Sequence, residues 1–124
     1  MDARELKFID NSFNTAVIFY TLMYIKDVDH EKVFNEVNRV LKPGGKLMIW
    51  DVNLPARTGS TPDNIAYYFK FQLPNTTINT GYGVHRPDKE QNLQYYIDIA
   101  EKTGFEIIGS LQNGSSLYLE VQKN

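Results

Sequence analysis

The chain has 124 residues, a length that suits one domain with a single hydrophobic core. Hydrophobic residues make up 42% and charged residues 23%, as in ordinary soluble globular proteins. The formal net charge of −2, without a basic stripe, argues against nucleic acid as a partner, and the absence of cysteine excludes disulfides and thiolate chemistry.

The apolar pattern argues against a membrane partner. The longest apolar run, Thr15 to Ile25, is too short to span a bilayer, and the N-terminus has no signal-peptide pattern. We expect a cytoplasmic chain. Two histidines far apart and no cysteines give no metal-ligand spacing, so no metal site is expected.

The first half of the chain predicts two buried strands joined by a helix. Thr15 to Leu22 and Lys46 to Val52 are β-branched and apolar runs, typical of strands buried on both faces. Strand, helix and strand in this order predict a right-handed parallel unit.

The helix between these strands is predicted from its apolar spacing. Asp27 or Asp29 can cap its start, His30 is expected to face solvent, and Pro43-Gly44-Gly45 is expected to end it. The apolar face consists of Val33, Phe34, Val37, Val40 and Leu41.

The segment from Asn53 to Pro87 is rich in proline and glycine. Thr61 followed by Pro62 is typical of a helix start, so we expect a short helix over Pro62 to Leu73. Pro74 to Pro87 is then a loop or an irregular strand. So long a connection inside a compact domain is usually functional or mobile.

The C-terminal region predicts a helix followed by a hairpin. Asp88 with Gln91 resembles a capping box, and Gly104 is expected to end the helix. Phe105 to Leu111 and Leu117 to Val121 are predicted strands, joined by a tight turn at Asn113-Gly114. The apolar face of the helix consists of Leu93, Tyr96, Ile97 and Ala100.

Three segments resemble a known family. Asp2-Ala3, Leu6 to Val17 and Arg39 to Leu47 are similar, in order and spacing, to motifs of class I S-adenosylmethionine-dependent methyltransferases. In that family the first motif follows the third strand, and the other two lead into the fourth and fifth strands. The resemblance implies an α/β Rossmann-like sheet in the order four, five, seven, six, with an antiparallel seventh strand. It implies that residues 1–124 are the C-terminal half of the domain, because no GxGxG motif for the cofactor occurs.

The resemblance implies S-adenosylmethionine as the cofactor. Its side of the site is expected at Asp2, Ala3, Phe13, Asn14 and Tyr20, although Asn14 stands where the family has aspartate. The alternatives are disorder for the first two residues, at a free N-terminus, and core packing for Phe13 and Tyr20.

The acceptor side is expected beyond the carboxyl ends of the parallel strands. Candidates for acceptor binding are Tyr24, Asp51, Asn53 and Arg57, and His85 is the candidate general base because histidine titrates near neutral pH. We expect Tyr24, Asp51 and His85 to line one cleft. The alternatives are packing for Tyr24, a capping role for Asp51 and no role for His85.

Two functions are consistent with these observations. The first is a methyltransferase half that acts on an unidentified small-molecule acceptor and is inactive alone. The second is a non-catalytic assembly domain that reuses the fold. In either case the strand from Thr15 to Leu22 becomes an uncharged, proline-free edge, which predicts a homodimer by edge pairing or segment exchange.

Overall fold

A computed structural model describes residues 1–59 and 62–124. Thr61, the expected helix start, lies outside the described residues. None of the helices in these two ranges has the length and apolar character needed to cross a membrane. In chain order, the structure contains β1 (Phe13–Phe19), a 3₁₀ turn (Leu22–Tyr24), α1 (Asp27–Val40), β2 (Leu41–Val52), β3 (Asn64–Leu73), β4 (Thr76–His85), α2 (Leu93–Lys102), β5 (Phe105–Asn113) and β6 (Ser116–Lys123).

The main sheet has four strands in the order β1-β2-β6-β5. β1 runs parallel to β2, with Val17 opposite Met48 and Phe19 opposite Trp50. β6 is antiparallel to both of its neighbours. The expected order of four, five, seven, six, with an antiparallel last strand, is confirmed.

Both helices pack on one face of this sheet. Alternate residues of β2 and β6 point to that face and form the core with Phe34 of α1 and Tyr96 of α2. No helix of the described residues covers the opposite face, where Val17 is 56% exposed, Phe19 48% and Leu111 64%. The buried strand residues of the core are Leu47, Ile49, Leu117, Leu119 and Val121.

The ends of α1 differ from those expected. Lys26, rather than Asp27 or Asp29, occupies the cap position, and both aspartates lie in the first turn. The helix ends at Val40, before Pro43-Gly44-Gly45, and Leu41 already belongs to β2. The ammonium group of Lys123 donates to the carbonyl oxygens of Asn38 and Leu41, both at 2.7 Å, and so satisfies groups that the helix leaves unpaired.

The expected capping box of α2 is wrong. The side chain of Asn92 caps the helix, since its Oδ1 accepts from the backbone N–H of Tyr95 at 2.9 Å. Gln91 instead exchanges two backbone hydrogen bonds of 2.9 Å with Leu54. The side chain of Asp88 is therefore available for another partner.

The expected helix over Pro62 to Leu73 is also wrong. β3 pairs with β4 in unbroken antiparallel register, from Asn64 opposite His85 to Leu73 opposite Thr76, and the two form a sheet of their own. Most of the segment from Pro74 to Pro87 is therefore a regular strand. Residues of β3 alternate in burial, with Ile65, Tyr67, Phe69 and Phe71 less exposed than the residues between them.

Arg39, the arginine of the family motif, has a structural role. Its guanidinium donates to the carbonyl oxygens of Leu6 at 3.0 Å and Phe8 at 2.8 Å. It also pairs with the carboxylates of Asp10 and Glu36, both at 2.8 Å. One side chain thus holds the N-terminal segment against α1.

Candidate active site

A cleft of about 320 Å³ lies at the carboxyl ends of β1 and β2. Beyond β1, Tyr20 has a left-handed backbone, with a φ of 50°, and its N–H donates to the carbonyl oxygen of Trp50 at 2.8 Å. The chain then enters the 3₁₀ turn, where Met23 is buried and Tyr24 is 53% exposed. The walls of the cleft come from this turn and the start of α1, from Arg57, and from the end of β4.

A chain of contacts joins four side chains, three of which line the cleft. Nη2 of Arg57 lies 2.6 Å from Oδ1 of Asp88, and Nη1 lies 3.4 Å from Nε2 of His85. Nδ1 of His85 lies 3.1 Å from Oδ1 of Asn64. An amide oxygen only accepts and a guanidinium only donates, so His85 carries its proton on Nδ1 and its lone pair on Nε2 faces Arg57.

Asp51 is fully buried and does not line the cleft, contrary to our expectation. Its Oδ1 accepts from the N–H of Val52 at 2.8 Å, while Oδ2 has no hydrogen-bond partner among the described residues. Burial raises the pKa of Asp51 to about 6, and the backbone amides of Val52, Met23 and Leu22 oppose that rise. The side chain lies behind the wall that Met23 contributes.

Asn53 also points away from the cleft. Its carbonyl oxygen accepts from the Tyr67 hydroxyl, and its N–H donates to the carbonyl oxygen of Ser115 at 2.8 Å. The residue borders a separate pocket of about 330 Å³ with Asn92 and Gln112, and its Oδ1 is buried without a hydrogen-bond partner among the described residues. Of the four acceptor-side candidates, the structure therefore brings Tyr24 and Arg57 to the cleft, together with His85.

The cofactor-side candidates separate into three places. Asp2 and Ala3 border a second pocket of about 350 Å³, which shares the wall from Tyr24 to Lys26 with the cleft. Tyr20 is buried in an aromatic cluster, with ring centroids 4.6 Å from Phe69 and 6.1 Å from Tyr82. Phe13 and Asn14 begin β1, and a strand of this length puts them about 20 Å from its carboxyl end.

The acidic groups of the second pocket are already engaged. The Asp2 carboxylate accepts from Arg4 Nη2 at 2.6 Å and from the Arg4 backbone N–H at 2.8 Å, and these bonds lower the pKa of Asp2 to about 2. Asp29 lies 3.4 Å from the same guanidinium. Both carboxylates of this pocket therefore contact one guanidinium, that of Arg4.

Within residues 1–59 and 62–124, no three side chains of the metal-binding types come together.

His30 is buried, and the expectation that it faces solvent is wrong. Its Nε2 lies 2.9 Å from the carbonyl oxygen of Leu22, and its Nδ1 lies 2.7 Å from the Tyr95 hydroxyl. Burial lowers the pKa of His30, and hydrogen bonds to the Leu22 and Ile25 backbone oppose that shift. The ring thus fixes the 3₁₀ turn that presents Tyr24 to the cleft.

Residues 1–49 match the family model described as a methyltransferase domain. The sterol 4-C-methyltransferase of Caenorhabditis elegans is 43% identical over 51 residues, which cover 41% of this chain and 15% of that protein. The N-terminal part of the chain, residues 1–49, is thus similar to a methyltransferase domain.

Other methyltransferases are similar over a longer stretch. The ubiquinone/menaquinone biosynthesis C-methyltransferase of Desulfotalea psychrophila is 37% identical over 73 residues, 59% of this chain and 28% of that enzyme. The demethylmenaquinone methyltransferase of Bacillus cereus has the same identity and is covered to 30%. The matches span less than a third of these curated relatives.

Solved methyltransferase structures share the fold over the whole chain. A protein from Methanosarcina mazei superposes with a TM-score of 0.65 at 20% identity, covering 99% of this chain and 65% of the other. A methyltransferase from Mesorhizobium loti superposes with the same TM-score at 14% identity, covering 99% and 68%. These superpositions confirm the Rossmann-like methyltransferase fold.

Proposed function

We propose that this chain carries the acceptor-binding half of a methyltransferase and transfers no methyl group alone. The observation that supports this is the cleft between Tyr24 and His85 at the carboxyl edge of the sheet, next to the pocket that contains Asp2. Methyl transfer from S-adenosylmethionine does not require the protein to form a covalent bond with the substrate. The acceptor must be held in line with the methyl group, and some acceptors must lose a proton.

Each side chain has a proposed role in that cleft. Tyr24 packs against the acceptor, and Arg57, held by Asp88, positions it. His85 accepts the proton at Nε2, where an acceptor replaces Arg57; the present contact of 3.4 Å is long for a hydrogen bond and therefore weak.

S-adenosylmethionine is the cofactor of the family, and when bound it supplies the electrophilic methyl group. Asp2 and Ala3 would lie at its adenine edge. The acidic groups of that pocket are paired with Arg4, and the sequence contains no GxGxG turn for the methionine moiety. We therefore expect no useful affinity for the cofactor in this chain alone.

A methyl-transfer assay tests the proposal. The chain is incubated with radiolabelled S-adenosylmethionine and a panel of small acceptors, with and without the N-terminal half of the Desulfotalea psychrophila enzyme. We expect transfer only when both halves are present, and a loss of it in Tyr24→Ala. Tyr68→Ala, on the outer face of the hairpin where the side chain is 85% exposed, is the matched control.

Two results would contradict the proposal. One is transfer by the chain alone, or calorimetric binding of S-adenosylmethionine with micromolar affinity. The other is equal activity of Tyr24→Ala and Tyr68→Ala in the combined assay.

A second candidate function is assembly without catalysis. Among the described residues, β1 pairs on one side only, with β2, and its seven residues include no charge and no proline. Monomeric proteins seldom leave such an edge open. We propose two-fold pairing along β1 in a homodimer, which places Phe13 of each copy near Phe19 of the other.

A further inference from the structure

Basic side chains gather around the cleft. Lys26, Arg57 and Arg86 line it, against two carboxylates, Asp27 and Asp88. The excess is local, because the chain as a whole carries a net charge of −2. A cleft that is more positive than the rest of its protein favours an anionic ligand.

Only one of the two carboxylates in the cleft, Asp88, is paired with a cation among the described residues. Asp88 pairs with Arg57 at 2.6 Å, so these two residues add no net charge to the cleft. Oδ1 of Asp27 accepts from the N–H of Val28 at 2.9 Å, in the first turn of α1. Asp27 keeps its negative charge beside Lys26 and the positive end of α1, so the surplus positive charge of the cleft depends on Arg86.

Arg86 stands on the opposite wall without an acidic partner. No carboxylate in residues 1–59 and 62–124 forms an ion pair with it. Its Nε is buried and has no hydrogen-bond partner. Nε is closed to a ligand, and the terminal nitrogens of this half-buried guanidinium are the donors that an acceptor in the cleft reaches.

Apolar side chains lie between these walls. Met23 and Leu54 are buried beneath it, and Ile25 and Pro87 border it. A ligand that fits both features has an apolar body and one acidic end.

We propose that the acceptor carries an oxyacid group, a carboxylate or a phosphate monoester, that Arg86 and Lys26 bind. Its apolar body lies on Met23 and Leu54. This inference rests on the proposed function of the cleft and adds the class of acceptor. Arginine recognises both groups through paired N–H donors.

Titrations monitored by amide NMR test the inference on the chain as it stands. The probes are 4-hydroxybenzoate, phenyl phosphate and, as the uncharged match, 4-hydroxybenzamide. We expect saturable shifts at Val28, Leu54 and Arg86 with at least one acid and none with the amide. Arg86→Gln and Lys26→Gln should each weaken that binding about tenfold, the loss of one hydrogen bond to a charged group.

Lys70→Gln, on the exposed outer face of the hairpin, is the control and should bind like the wild type. Lys26 is exposed, so its variant keeps the test valid even if Arg86→Gln is unstable. Equal binding of the amide, equal weakening by Lys70→Gln, or no saturable shift with either acid overturns the inference. Whichever acid binds more tightly identifies the oxyacid group.

The two proposals fail in different ways. If the combined halves methylate neutral acceptors as fast as acidic ones, the acceptor class is wrong and the proposed function stands. If 4-hydroxybenzoate binds at the cleft but no acceptor is ever methylated, the proposed function is wrong and the binding site stands.

Discussion

The Nδ1 atom of His30 lies 2.7 Å from the hydroxyl of Tyr95 and joins α1 to α2 in the interior. Because Nε2 meets the carbonyl oxygen of Leu22, which only accepts, Nδ1 is the acceptor for Tyr95. Tyr95→Phe leaves this nitrogen buried without a donor and should cost about 1–3 kcal/mol of the free energy of unfolding. Urea denaturation measures the cost, and Tyr68→Phe on the exposed hairpin face should have no effect.

The buried ring of His30 predicts a loss of stability in mild acid. Burial lowers its pKa below the ordinary 6.5, so the unfolded chain takes up a proton first as the pH falls through 6.5. The folded state therefore loses stability until its own lower pKa is reached. His30→Gln removes this titration, and its stability should fall less than that of the wild type across the same range. Parallel slopes for both proteins would contradict the assignment.

Asp51 predicts the opposite dependence. Its pKa rises from 3.8 to about 6 on folding, so the folded state holds the proton more tightly and loses stability as the pH rises between those values. That rise corresponds to about 3 kcal/mol at neutral pH. Asp51→Asn should therefore be more stable than the wild type near neutral pH, with little difference below the lower value. Asp98→Asn, on the exposed face of α2, is the control for urea denaturation at both pH values.

Gly45 leaves no room for a side chain near the start of the pairing between β1 and β2. A methyl group there would lie 2.8 Å from the carbonyl oxygen of Lys42 and 3.2 Å from that of Asn14. Gly45→Ala must push these strands apart and should destabilise the protein by about 1–3 kcal/mol. Gly83→Ala, where no atom lies within 4 Å of the added methyl group, should leave the thermal midpoint almost unchanged.

The open edge of β1 predicts a concentration-dependent dimer. Val17→Lys adds a charge at the middle of the proposed pairing and should give a monomer in light scattering, while Tyr68→Lys on the hairpin should leave the dimer intact. A monodisperse wild-type monomer at high micromolar concentration would rule the pairing out. A dimer that survives Val17→Lys would favour segment exchange instead.

The first half of the fold could be predicted because its signals are local. The run from Thr15 to Leu22 and the helical spacing of Val33, Phe34 and Val37 each specify one element, and the family motif fixes their order. His30 lies on the same helical face as these residues, so its burial was predictable from the same spacing. We expected exposure because histidine is polar. The sequence does not show that the Tyr95 hydroxyl lies within hydrogen-bond distance of the buried His30 ring.

The hairpin could not be read in the same way. Four aromatic residues within five positions suit one face of a helix, and Pro62 suits its start. The two-residue alternation of Tyr67, Phe69 and Phe71 becomes decisive only when β4 provides the partner. The prediction of the cleft was incomplete for the same reason. Arg86 carries no sequence signal, and it lies at the cleft only because β4 ends there.

The backbone hydrogen bonds between β3 and β4 are made within the hairpin, and none of them belongs to the ladder of the four-stranded sheet. Insertions or substitutions near its tip, around Pro74, would therefore leave the main sheet and its core intact. The tip of such a hairpin can change in sequence and length during evolution. Under the proposed function, the choice of acceptor can change through the end of β4, where His85 lies. Tyr67, Phe69 and Tyr82 meanwhile keep the hairpin packed against Tyr20 and Met23.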